Sequence, residues 1–159
     1  DTTIPDVIGR DSETGRPIQQ ARNRTPTGRH PNNYDPGNGS SDMDNSRRAE
    51  LMDMYFTGLD EDDLDHMKPC LSEEVQFQSS SDEVSGVAEF REYLEENRMV
   101  SNSTHEITRR VHDDTPVSIC EGRVSGDTPD GSVEGAFCDV FEFDPDSERI
   151  TSVSVYTRL

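Results

Sequence analysis

The chain has 159 residues, enough for one domain with a sizeable core but not comfortably for two. Asp and Glu number 34 against 15 Lys and Arg, a formal charge of -19 with Lys68 as the only lysine. That balance argues against recognition of nucleic-acid phosphates or of anionic membrane surfaces, and no apolar run reaches the roughly 18 to 20 residues of a membrane span.

Residues 1–42 are close to neutral, carry five prolines and five glycines, and show no sustained apolar period. They read as a flexible leader outside the native fold, and Met43 opens the compositionally distinct part, a single domain over 43–159. From Asn45 or Ser46 as cap, Leu51, Met52, Tyr55, Phe56 and Leu59 recur at helical spacing and predict an amphipathic helix closing near Gly58. Asp60 is a candidate cap for a shorter second helix with Leu64, Met67 and Leu71 on one side, kinked or ended at Pro69. Glu74 to Gln78 reads as a short strand and Ser79 to Gly86 as a loop. Val87, Phe90, Tyr93 and Leu94 mark a third helix running to about Arg98.

Strands are expected over His105–His112, Val117–Val124, Val133–Phe143 and Ile150–Tyr156, separated by turn chemistry at Asp113–Pro116, Gly126–Gly131 and Asp144–Glu148. Helices first and an antiparallel run afterwards make an α+β fold. Phe137, Asp139, Phe141 and Phe143 fall on every second residue and share one strand face, so one carboxylate sits in a row of three phenylalanines. Such a face is either a core with a flaw or the wall of a pocket. An acid there would be desolvated, which disfavours its anion.

The order helix, helix, short strand, helix and antiparallel meander resembles the nuclear transport factor 2-like superfamily, including SnoaL-like proteins. The resemblance covers about Asn45 to Tyr156 and rests on Tyr55-Phe-Thr-Gly-Leu-Asp-Glu-Asp-Asp-Leu64, Leu71-Ser-Glu-Glu-Val-Gln-Phe77, Gly86 before the third helix, and Phe137-Cys-Asp-Val-Phe-Glu-Phe143. It implies a curved antiparallel sheet forming a cone closed at one end by about three helices, a pocket on the concave face, and a homodimer. Among such relatives the ketosteroid isomerases use a helix tyrosine and a strand aspartic acid as an oxyanion hole, and Tyr55 and Asp139 fall near those places. Where those relatives carry a basic aspartate, this chain has Ser79, which cannot by itself take a carbon-bound proton.

The candidate catalytic residues are therefore Asp139, Tyr55 and His105, the last facing the same way as Ile107 and Val111 at a strand start. Phe137, Phe141, Phe143, Ser79 and Arg109 are the candidate ligand contacts, Arg109 because simple alternation puts it on the His105 face. His66 and Cys70 at i, i+4 are too few for a metal, and no phosphate loop or cofactor motif is present, so no metal or cofactor is expected. Cys70, Cys120 and Cys138 are an odd number without paired spacing, which suggests free thiols in a reducing, cytoplasmic setting. The expected function is binding of a mostly apolar, oxygen-bearing small molecule, with lyase, isomerase or cyclase chemistry as its enzymatic form. A non-catalytic dimerisation or interaction module is the alternative. The acidity itself resembles that of proteins from salt-loving microbes.

Overall fold

The computed structural model of the protein describes residues 43–159; the leader expected over 1–42 lies outside the described residues. Helix α1 (Asn45–Asp60) is capped one residue earlier than the sequence suggested, by Asp44, whose carboxylate accepts from the Ser46 amide at 3.2 Å. Its buried stripe is the expected one: Leu51, Met52, Tyr55, Phe56 and Leu59. Gly58 does not end it; the glycine instead makes room for Met67 and the Asp63 carbonyl, which a Cβ there would meet at 1.9 and 2.9 Å. The helix runs on to Asp60.

The cap of the short α2 (Leu64–Met67) is Asp63, not Asp60, accepting from the His66 amide at 3.1 Å. Pro69 sits in a 3-10 turn, Lys68–Cys70, and ends the helical run, so Leu71 opens strand β1 (Leu71–Gln78) instead of extending a helix face. The expected loop after it contains a short strand β2 (Glu83–Ser85), which folds back antiparallel on the end of β1. Helix α3 (Gly86–Glu92) starts at Gly86, whose φ of 82° suits glycine, and passes into a π-helical turn, Tyr93–Asn97.

Four long strands complete the chain: β3 (Ser101–His112), β4 (Val117–Thr128), β5 (Gly131–Asp144) and β6 (Arg149–Arg158). The β4–β5 hairpin is longer than expected because its turn closes only at Gly131, with a φ of 128°, and the Gly126-Asp-Thr segment is paired strand. The sheet order is β2-β1-β6-β5-β4-β3, antiparallel throughout except where β6 runs parallel to β1. This is a curved, open α+β sheet with three helices, the cone-like architecture anticipated above. Helix α1 lies across its inner face. Arg48 pins the start of α1 to the β3–β4 turn, donating to the carbonyls of Asp113 at 2.9 Å and Val117 at 3.2 Å.

Candidate functional site

Alternation along β5 turns Phe137, Asp139, Phe141 and Phe143 inward, and all four are buried. What lies above them divides the row. Helix α1 covers the far end: the Phe141 ring meets the Tyr55 ring edge-on at a centroid distance of 5.3 Å and stacks with Phe143 at 6.4 Å. The near end is covered only in part, by Phe56 and His105 against the Phe137 ring at 5.3 and 5.2 Å. There, between α1, the π-helical turn and β3 to β6, a cavity of about 310 Å³ reaches down to Phe137 and Asp139. Leu59, Phe77, Val124 and Val155 make its walls apolar, while Ser79, Ser80, Ser81 and Asp82 form a polar stretch of its rim.

Asp139 and Tyr55 both line this cavity, and the Asp139 Oδ1 and the Tyr55 hydroxyl are buried without a hydrogen-bond partner. Buried polar groups are nearly always satisfied, so two orphans on residues that line one cavity make it the candidate site. Burial alone pushes the Asp139 carboxyl up to about 8. At neutral pH it is a carboxylic acid and can donate. Tyr55 is held well above its ordinary value, first by burial and then by any charge on Asp139, so it too remains a donor.

His105 lines the same cavity from β3, packed against the rings of Phe56 at 5.1 Å and Phe137 at 5.2 Å. Its Nδ1 lies 2.5 Å from Asp60 Oδ1, and its backbone amide donates to Asp60 Oδ2 at 2.9 Å. The same carboxylate accepts from the Ser103 hydroxyl at 2.8 Å, and Arg98 in turn donates to Ser103 Oγ at 2.6 Å, to the Leu59 carbonyl at 2.7 Å and to Asp62 at 2.8 Å. Burial lowers the His105 value, with Asp60 opposing it and Arg98 adding to it.

Residues 52–153 match the model of the SnoaL-like domain family, most of the described fold. The chain belongs to the SnoaL-like domain family. No curated protein matches it at a significant level. Among solved structures, this SnoaL-like chain is similar to SalBIII, an epoxide hydrolase/cyclase-like enzyme of pyran ring formation in the polyether salinomycin, with TM-score 0.63, 22% identity, and 73% of this chain and 94% of that one covered. It is also similar to an LEH-like epoxide hydrolase of M. tuberculosis, with TM-score 0.60, 19% identity and coverage of 71% and 84%. An NTF2-like protein of unknown function from Burkholderia pseudomallei matches with TM-score 0.62, 11% identity and coverage of 70% and 91%. At these identities the likeness is one of fold.

Of the residues singled out in the sequence, Asp139, Tyr55, His105, Phe137 and Ser79 come together on the cavity. Phe141 and Phe143 do not: α1 covers them, and they are core. Arg109 is on the opposite face, side chain exposed, 3.5 Å from Glu121. A bulge between Ile107 and Arg109 inserts one residue into β3 and reverses its alternation, so Arg110 turns inward to Asp53 of α1 while Arg109 and Val111 turn out. His66 is exposed and Cys70 buried, and the helix ends between them, so they share no face. Among the described residues no cluster of three potential ligands surrounds a metal site. Sequence reading missed Asp60, assigned only as a helix cap, and Arg98, Tyr93 and Phe77. Their apolar or charged character carried no local signal that the tertiary fold would aim them at one space.

Proposed function

We propose that this SnoaL-like domain binds an apolar small molecule through a single oxygen, which accepts hydrogen bonds from Asp139 and Tyr55, and that it acts on that molecule as a lyase, isomerase or cyclase. The observation that carries this reading is a pair of buried, unpartnered donors on residues that line a cavity of about 310 Å³ with apolar walls. A neutral carboxyl and a phenol aimed at one oxygen stabilise negative charge as it develops there, the requirement common to enolisation, ring closure and ring opening. The epoxide hydrolase and hydrolase/cyclase-like neighbours add support for oxygen-ring chemistry. Phe137 and Ser79 would contact the ligand body and its outer end.

The test is a thermal-shift and calorimetric survey of apolar ketones and epoxides against the wild-type protein, Asp139→Asn and Tyr55→Phe. Binders of the wild type that lose at least about tenfold in affinity in both variants support the reading, since a hydrogen bond to such a group is worth about 1.5 kcal/mol. Equal affinity in all three proteins overturns it.

A homodimer is part of the proposal. The outer sheet face exposes Val111 and Ile119, cross-strand partners, and Tyr156 beside Cys138. Sedimentation of wild type against Ile119→Lys and Tyr156→Lys tests it, a monomeric wild type refuting it. The three free cysteines suit a reducing cytoplasm, and the net charge of -19 suits a high-salt setting where counter-ions screen it.

A further inference from the structure

We propose that Asp60 is a positioning residue that holds His105 as the proton acceptor of the cavity, so that the site pairs an acid, Asp139, with a base and takes an apolar epoxide attacked by water or by a hydroxyl of the substrate. The proposal rests on the ligand reading above and adds to it the second half of an acid–base pair.

A carboxylate only accepts, so the Asp60 contact at 2.5 Å requires the proton on Nδ1 and leaves Nε2 with its lone pair. Nε2 has no hydrogen-bond partner among the described residues, and the ring lines the cavity. Asp60 is itself held by two further donors, the His105 amide and the Ser103 hydroxyl, and Arg98 donates to Ser103 in turn. The imidazole is thereby held in one tautomer and one orientation. The ionisable groups facing this arrangement are Asp60 from α1, Arg98 from the segment before β3, and Tyr55, Asp139, Tyr93 and Asp82 on the cavity wall. Burial keeps His105 uncharged near neutral pH, and Asp60 limits that effect so the ring can still accept a proton.

In the step this supports, Nε2 takes a proton from water or the substrate hydroxyl as that oxygen bonds to an epoxide carbon. The carbon–oxygen bond of the ring breaks, and its electron pair takes the proton of the Asp139 carboxyl while Tyr55 donates to the same oxygen. Imidazolium and carboxylate then return to their starting forms by passing one proton from the first to the second through solvent. No oxidant or other co-reactant enters.

The test has a spectroscopic arm and a turnover arm. Nitrogen-15 NMR of the imidazole rings, assigned with His105→Gln, is expected to show Nδ1 protonated and Nε2 unprotonated for His105 at neutral pH in the wild type. In Asp60→Asn its titration midpoint moves down and the tautomer preference relaxes. An Nε2-protonated ring in the wild type overturns the proposal, and that spectrum decides even if Asp60→Asn does not fold. In the turnover arm, styrene oxide is expected to give its diol, at least about 100-fold more slowly in His105→Gln and about tenfold more slowly in Asp60→Asn. No diol from the wild type, or unchanged rates in His105→Gln, overturns the step. Ketone affinity in the same samples reads the Asp139–Tyr55 site separately, because loss of that affinity leaves the His105 tautomer unaltered.

Discussion

Replacing Asp139 by asparagine keeps the shape of the side chain and removes its titration, so the two proteins should differ in how stability depends on pH. In the unfolded chain the carboxyl has its ordinary value of 3.8, while in the fold burial moves it to about 8. Between those values the folded protein holds a proton that the unfolded chain has released. Stability from this group is therefore fully present below the unfolded value and is lost as pH rises toward the folded one. Each pH unit inside that window is worth about 1.4 kcal/mol, so from pH 5 to pH 7 the wild type should lose about 3 kcal/mol relative to Asp139→Asn. Urea denaturation of both proteins at several pH values, with matched slopes in denaturant, measures this difference directly. Contributions shared by both proteins, such as those of His105 and the surface carboxylates, cancel. In thermal melts the same change amounts to a relative shift of about 10 °C. A difference constant within about 0.5 kcal/mol over this range would mean that the Asp139 carboxylate is as well solvated in the fold as outside it. The donor role assigned to it would then be refuted.

Tyr55→Phe removes a buried hydroxyl with no partner, so unfolding free energy should rise by roughly 1 kcal/mol in urea titrations while ketone affinity falls. Gly122→Ala would bring a Cβ within 2.2 Å of the Glu106 carbonyl and 2.8 Å of the Phe137 ring, and should cost about 1–3 kcal/mol of stability by the same assay. Arg109→Ala removes an exposed pair on the outer face and should change stability by less than about 0.5 kcal/mol and ligand affinity not at all, as calorimetry would show.

Where the site was legible in the sequence, the signal was local. The 3.6-residue recurrence of Leu51, Met52, Tyr55, Phe56 and Leu59 and the two-residue recurrence from Phe137 to Phe143 each lie within one element, and each places its residues on an inner face whatever the rest of the chain does. An inner face is not yet a cavity wall. Whether Phe141 or Phe137 would line empty space depended on how far α1 reaches along β5, which no window of sequence contains.

What the sequence by itself determined was the helices and the four long strands, their order, and the sidedness of α1 and β5, because backbone periodicity and side-chain polarity act between residues a few places apart. Tertiary structure alone decided the parallel pairing of β6 with β1, which sets Ile150 beside Leu71. It alone inserted the bulge that sends Arg109 outward, and it alone set Asp60 against His105 across 45 positions of chain. Those outcomes belong to strand curvature and closure between distant segments, where the geometry of the whole sheet, not the character of any one residue, selects which side chains meet.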